Sequence, residues 1–370
     1  MKLTIVQLCL LLCLLLIGCS AVAPAPAETE APTQITAPPT TVPPETTEPT
    51  EAPTETTVPQ PEEFLLSFAG DCCLGNLRTW SWDRYFIGTV GEDYDYPFSN
   101  VLQYFQNDSA TFVNLENPLT DSTSYANKKF VFRGPTSYTR ILTQGSIEFA
   151  NVANNHSMDC GTQGYQDTLA VLNDAGIFCA DARNTTVFTT QDGLTVGVYA
   201  DLYPENVNGL PEKIEAMRAE GAEVIIVSMH WGREYYYKPN SLQESLAHAA
   251  IDAGADIVYG HHPHVLQPIE EYNGKIIFYS LGNFCFGGNT NPTDKDSAIL
   301  QQQIIRDPDG TVSLGELTII PCSVSSVQNT NDFKPTPYEE DSDAWKRALS
   351  KLDGSYPYSK ISVDYRPELG

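Results

Sequence analysis

The sequence predicts an α/β fold for its folded part, and three observations carry that expectation. Between residues 62 and 330, short runs rich in β-branched and aromatic residues alternate with stretches of helical period. Most of these runs end at Gly, Asp or Asn. Polar and ionisable residues gather just beyond the run ends, which is where open α/β sheets bind ligands.

The chain opens outside that fold. MKLTIVQLCLLLCLLLIGCS has a short basic start at Lys2, an apolar run to Ile17 and a small-residue site, so residues 1–19 read as a secretory signal. Its ending, Leu16-Ile17-Gly18-Cys19, resembles a bacterial lipobox. That resemblance implies cleavage before Cys19, lipidation of its thiol and a membrane lipoprotein of the cell surface. An uncleaved anchor or an ordinary signal is the alternative, although the apolar run is short for a spanning helix. Residues 20–61 are almost entirely Pro, Thr, Glu and Ala, too poor in apolar surface to fold, and read as a disordered, extended stalk.

Within the main domain, 62–330, strands are expected at Phe64–Ala69, Ala110–Leu115, Phe149–Ala153, Thr195–Ala200, Glu223–Met229, Ile257–Tyr259 and Lys275–Leu281. A helix over Thr162–Ala175 carries Tyr165, Leu169 and Leu172 at helical spacing and stops at Gly176. Ser241-Leu242-Gln243-Glu244 has the capping-box pattern and opens a helix through Ala253, which Gly254 ends. Residues 331–370 read as a closing segment of the same domain, with a helix at Ala344–Lys351.

Charge restricts the function classes. The formal net charge is −26, and the first 61 residues hold six Glu against one Lys, so the remainder is itself at −21. This excludes a nucleic-acid-binding surface. An anionic partner needs a local basic patch or a bound divalent cation.

Five of the six histidines fall in NNH at 154–156, in IIVSMHWGREY at His230, and in GHHPH at 260–264. Histidine is the commonest neutral metal ligand, and His262 and His264 at H-x-H spacing reach one cation from one loop. Asp71, Asn114, Glu116, Asn154, Asn155, His156, His230, His262 and His264 all closely follow an expected strand. Singly, each reads equally as a turn, cap or solvated residue; as a set they point to a ligand site.

The ordered strings FAGDCCLGN, FVNLENPLT, KKFVFRGP, NVANNHSMDCGTQGYQDTLAVLNDAGI, VSMHWGREY, GADIVYGHHPHVLQPIE and FYSLGNF resemble the CapA family of bacterial surface proteins linked to capsule and poly-γ-glutamate synthesis. The resemblance spans roughly Phe64 to Ile361. It implies the fold of the calcineurin-like metallophosphoesterases, a four-layer sandwich of two β-sheets flanked by helices around one or two divalent metal ions, Mn, Fe or Zn. Carried onto this sequence, it makes Asp71, Glu116, Asn155, His230, His262 and His264 the metal ligands. His156 becomes the imidazole that protonates the leaving group or stabilises the transition state. Asn154 and His261 fall on the substrate side. The usual D-x-H is here Asp71-Cys72-Cys73, so one histidine ligand is missing and one metal position is weakened.

Lys128, Lys129 and Arg133 form the densest basic stretch of an acidic chain. They read either as a solvated edge or as a grip on carboxylate or phosphate. Of nine cysteines, Cys72, Cys73, Cys160, Cys179, Cys285 and Cys322 remain once Cys9, Cys13 and Cys19 are set aside, too few for a disulfide scaffold in so large a domain. Cys72 and Cys73 read as small buried hydrophobes, with a metal thiolate as the alternative. Two functions stay open: a metal-dependent hydrolase acting on a cell-envelope polymer or phosphoester, or a non-catalytic, metal-dependent polymer-binding subunit of a capsule export and anchoring complex. The implied partners are an anionic polymer such as poly-γ-glutamate, membrane capsule-synthesis subunits, and the membrane itself through the lipid anchor.

Overall fold

The computed structural model describes residues 59–361. The expected signal, Cys19 and all but the last few stalk residues lie outside them. The chain begins with β1 (Glu62–Cys73), β2 (Asn76–Leu77), α1 (Tyr85–Val90), α2 (Leu102–Phe105), β3 (Ala110–Leu115), β4 (Phe132–Arg133), α3 (Thr139–Gln144) and β5 (Phe149–Asn151). It continues through α4 (Gly161–Asp174), β6 (Phe178–Ala180), β7 (Thr186–Thr189), β8 (Thr195–Leu202), α5 (Leu210–Ala219), β9 (Val224–His230), α6 (Ser241–Asp252) and β10 (Ile257–His261). It closes with β11 (Ile269–Tyr272), β12 (Lys275–Phe278), β13 (Asn283–Phe286), β14 (Asp296–Arg306), β15 (Val312–Ser323), β16 (Thr336–Pro337) and α7 (Asp343–Leu352).

Two sheets dominate. One runs β16-β15-β14-β1-β3-β5-β6, with β13 also paired to β1; the other runs β11-β12-β10-β9-β8-β7. The inner strands of both are parallel. Parallel strands covered on both faces read as continuous apolar runs, and Val224–Val227 is such a run, wholly buried.

The sheets meet face to face. Leu66, Phe68, Phe112 and Phe149 of the first pack with Val196, Val198, Ile226, Tyr259 and Phe278 of the second in one buried cluster. Phe68 stacks on Phe112 with centroids 5.0 Å apart and meets Tyr259 edge-on at 5.1 Å. Each such side chain contributes roughly 1.5–3 kcal/mol on burial. Outside the first sheet, Val113, Leu115 and Ala150 pack on Phe86, Phe105, Ile141 and Leu172 of α1 to α4. Outside the second, Ile225, Val227 and Val258 pack on Ile214, Met217, Leu246 and Ala250 of α5 and α6. Helix, sheet, sheet and helix form the four layers expected.

Three local expectations are corrected. The capping box of α6 starts one residue early: the Asn240 side chain accepts the Gln243 N–H at 3.0 Å, and Gln243 Oε1 accepts the Asn240 N–H at 3.1 Å. The expected strand Lys275–Leu281 stops at Phe278 as β12, and β13, which follows it, belongs to the other sheet. The chain crosses between them at Gly282, whose φ of 66° suits only glycine without strain, and the Asp71 N–H donates to the Gly282 carbonyl at 2.8 Å. The long antiparallel pair β14 and β15 was not anticipated.

In the closing segment, β16 pairs with β15 and α7 buries Ala348 and Leu352 against the inter-sheet core. Arg347 and Lys351 of that helix converge on the buried carboxylate of Asp296, at 2.6 and 2.7 Å.

Candidate metal centre

The site lies at the carboxyl ends of the inner strands, where both sheets deliver polar residues. The parallel register of β1 and β3 sets Asp71 beside Asn114. Asn114 Nδ2 donates to Asp71 Oδ1 at 2.8 Å and lies 3.3 Å from Glu116 Oε2. The next strand continues the pattern, since register pairs Asn114 with Asn151, whose amide donates to Asn114 Oδ1 at 2.9 Å. Glu116 follows β3 and is completely buried, with its backbone N–H donating to the Cys72 carbonyl at 2.7 Å.

The second sheet supplies imidazoles. β9 ends in His230 and β10 in His261, register partners in adjacent strands. His262 and His264 follow with φ of 94° and 56°, a left-handed backbone that costs non-glycine residues on the order of 1–3 kcal/mol each and is held by its surroundings. His264 Nδ1 lies 3.2 Å from Asp71 Oδ2 and 2.9 Å from Asn283 Oδ1, and its Nε2 is 3.7 Å from Glu116 Oε1. His230 Nε2 is 3.0 Å from Asn155 Oδ1 and 3.7 Å from Glu116 Oε1. The rings of His230 and His262 are 4.8 Å apart.

Glu116, His262 and His264 offer ligand atoms that all lie within 4.8 Å of one another. Among the described residues, Glu116 Oε1, His230 Nδ1 and His262 Nδ1 are buried with no hydrogen-bond partner. Buried polar atoms are rarely left so, and together with the convergence of Glu116, His262 and His264 they fit a bound cation. The ring nitrogens and carboxylate oxygens suit a divalent transition metal.

Proton affinities in the cradle are strongly displaced. Burial alone would raise Asp71, but His261 and His264 outweigh it and hold the carboxyl far below its usual range. Burial pushes Glu116 well up. His262 falls to about 3 through burial and the charge of His264. His264 rises to about 10 because Glu116 and Asp71 overcome its burial. Burial and the neighbouring His262 push His230 well below its usual value. A cation would supply the positive charge that His264 alone otherwise carries.

His156 stands beside the cradle. Its Nδ1 lies 2.8 Å from Asp159 Oδ2, and Asp159 also accepts the Phe132 N–H at 2.6 Å. Lys128 reaches Asp159 Oδ1 at 2.5 Å, the Asn155 carbonyl at 2.8 Å and His156 Nδ1 at 3.3 Å. Burial lowers the proton affinity of His156 against the pull of Asp159. The ring borders a cavity of about 180 Å³ shared with Lys129, Phe132, Glu234, Tyr235 and His264.

Asp71, Glu116, Asn155, His230, His262 and His264 thus come together, with His156 and Lys128 alongside and Lys129 at the cavity wall. Three assignments to the substrate side are corrected. Asn154 is buried, and its amide is spent on Asn114 Oδ1 at 3.1 Å and the Leu115 carbonyl at 2.8 Å, which shapes the loop. His261 lies beneath the cradle, 1% exposed, between Ser228 Oγ at 3.1 Å and Asp71 Oδ1 at 3.4 Å. Arg133 donates to the Ser122 carbonyl at 2.7 Å and lies over the Trp82 ring, away from the cavity lining. Cys72 and Cys73 are buried thiols, Cys72 pushed up to about 12 by burial, and behave as packing residues.

Sequence reasoning missed Asp159, three residues after His156 in the same motif, and Asn283, which stands in the quoted string FYSLGNF. It also missed Tyr203, whose hydroxyl lies 3.4 Å from His262 Nε2.

The family described as bacterial capsule synthesis protein PGA_cap matches residues 65–288. The PGA biosynthesis protein CapA of Bacillus subtilis (strain 168) is 33% identical over 312 residues, covering 77% of this chain and 77% of that protein. The capsule biosynthesis protein CapA of Bacillus anthracis is 32% identical over 273 residues, covering 66% and 64%. A probable polyglutamine synthesis accessory protein of Mycobacterium tuberculosis is 30% identical over 226 residues, covering 52% and 60%. The solved NAD nucleotidase of Haemophilus influenzae aligns with 82% of this chain and 57% of its own at 12% identity, with a TM-score of 0.41, too weak to argue from.

Proposed function

This chain belongs to the PGA_cap family of bacterial capsule synthesis proteins, and we propose that it is a lipid-anchored, metal-dependent hydrolase of the cell surface. Its substrate is an anionic envelope polymer such as poly-γ-glutamate, worked on beside membrane capsule-synthesis subunits. The observation that carries the reading is the cradle itself: Glu116, His262 and His264 bring ligand atoms within 4.8 Å of one another, with His156 held against Asp159 at their side.

Glu116, His262 and His264 would hold a divalent cation, with Asp71 beside His264, and with His230 beside Glu116 and Asn155. A divalent cation held there supplies Lewis-acid polarisation of the substrate oxygen. Asp159 fixes the His156 ring through Nδ1, which leaves Nε2 to exchange a proton with the leaving group. Lys129, at the cavity wall, offsets the negative charge of the polymer, while Lys128 balances Asp159.

His156→Ala tests the reading. Turnover on phosphodiester or γ-glutamyl amide substrates falls roughly 10²–10⁴-fold while bound metal, read by elemental analysis, stays near wild type. Wild type without measurable hydrolysis, together with a His156→Ala protein that retains full polymer export in cells, would favour a non-catalytic binder. The anchor rests on the Leu16-Ile17-Gly18-Cys19 pattern. Cys19→Ala releases the protein into the medium or leaves an uncleaved precursor; normal processing with unchanged membrane attachment counts against lipidation.

A further inference from the structure

A cavity larger than the metal pocket lies beside it in the described residues. It measures about 1010 Å³ and is walled by the loop before β14, the segment after β15, helix α7 and the strap through Tyr356 to Ile361. A small cavity bridges the two. It shares Tyr235, His264 and Asn283 with the metal pocket region, and Pro292, Thr293, Asp294 and Ile361 with the large cavity. The large cavity forms a trough that ends beside the metal pocket, and the small cavity between them, of about 10 Å³, has room for no more than a water. The strap that makes its far wall is pinned by backbone bonds, Tyr237 N–H to the Ser359 carbonyl and Ile361 N–H to the Tyr235 carbonyl, both at 3.0 Å.

The charge of this trough opposes that of the molecule. Lys295, Arg347, Lys351 and Lys360 line the large cavity against one lining carboxylate, Asp294. Counting Asp296 and Asp332 behind them, four cations face three carboxylates, in a chain of formal charge −26. Several are fixed in place: Lys351 bridges Asp294 and Asp296 at 2.6 and 2.7 Å, and Lys295 donates to the carbonyls of Val327 and Thr330. Tyr237, Tyr338, Tyr356 and Tyr358 give the walls aromatic faces. A small substrate confined to the metal pocket leaves most of this surface unused. A long chain engages both, and binding remote from the reacting centre holds the reacting bond in place.

We infer that the trough is a second binding site for an extended polyanionic chain, seating a stretch of the polymer between α7 and the Tyr356–Ile361 strap. This rests on the reading that an anionic polymer is the substrate, but it places binding where no metal ligand lies.

The test uses the full chain stripped of metal with EDTA, titrated with long-chain poly-γ-glutamate and, separately, with a γ-glutamyl dipeptide. Wild type binds the long polymer without metal, more weakly as salt is raised, and does not retain the dipeptide. Lys360→Glu and Tyr358→Ala, both at exposed side chains, each lower affinity for the long polymer, the charge reversal by roughly tenfold. Affinity unchanged in both variants, or no binding by metal-free wild type, overturns the trough. His262→Ala separates the two readings: lost metal with the trough affinity intact supports a site distinct from the metal centre. Retained metal in wild type with no polymer binding removes the trough and leaves the metal centre standing.

Discussion

The two sheets build unlike halves of one site. On the side of β1, β3 and β5, Asp71 is met by Asn114, and Asn114 in turn by Asn151 and Asn154, a ladder in which each amide has a partner. On the side of β9 and β10, His230 and His262 each bury a ring nitrogen with none, and His262 and His264 sit in left-handed backbone. The first half is satisfied as a piece of folded protein except at Glu116 Oε1. The second holds unmet polar atoms and local strain that folding alone does not use, which is the signature of a place shaped for a ligand.

The largest expected effect breaks the comparison at its metal side. His262→Ala and Asn114→Ala should part company. His262→Ala removes a buried ring whose Nδ1 has no partner, so bound metal is lost with little change in melting temperature. Asn114→Ala leaves the amides of Asn151 and Asn154 without their acceptor and costs about 1–3 kcal/mol of stability. Its metal affinity drops by roughly 10–100-fold, as expected for a group that only orients a ligand. Elemental analysis and thermal melts on both proteins check this. Equal stability losses in the two would erase the distinction between the halves.

A smaller effect belongs to Asp159, which holds His156 at the edge of the site. Asp159→Asn keeps the shape and removes the charge, so turnover falls roughly 10–100-fold with metal retained. The pH profile discriminates. Asp159 raises the proton affinity of His156 against its burial, so the limb governed by His156 moves to lower pH in the variant. A merely structural role for Asp159 predicts a lower rate with the limb in place.

How much of this was legible depended on the range of the interaction. The strands of the parallel core and the histidine loops were visible because each is a local pattern of apolar runs followed by ligand-type residues. The amide ladder was not, since pairing Asn114 with Asn151 requires the register of β3 and β5. Strand β14 was hidden by Gln301, Gln302 and Gln303, which interrupt the expected alternation; a bulge near Gln302 shifts its pairing with β15, and the buried Gln302 amide is satisfied by the Gln303 and Gly315 carbonyls. The α6 cap differed by one residue because Asn240-x-x-Gln243 and Ser241-x-x-Glu244 both match the capping pattern, and the extended backbone at Asn240 decides between them. Arg133 was misplaced because sequence shows a charge and not the aromatic rings of Trp82 and Tyr125 that take it up.

The smallest expected effect sharpens the comparison at the opposite end of the same strands, where carboxylates are buried without imidazoles. Glu148 accepts the Thr111 N–H at 2.9 Å beside the start of β3. Burial, opposed by that hydrogen bond and reinforced by Asp108, pushes it from 4.5 to about 7, and burial pushes Asp108 to about 6. The folded state therefore binds protons more tightly than the unfolded chain. Its contribution to stability is full below about pH 4.5 and is lost as pH rises through about 7. Glu148→Gln keeps an oxygen to accept the Thr111 N–H and removes the titration. Melting temperature of wild type should decline from pH 4.5 to 7 relative to Glu148→Gln, by the equivalent of on the order of 1 kcal/mol once solvent screening is allowed for. Parallel stability curves for the two proteins would mean that water reaches this carboxylate freely, and that burial without a cationic partner is peculiar to the metal end of the strands.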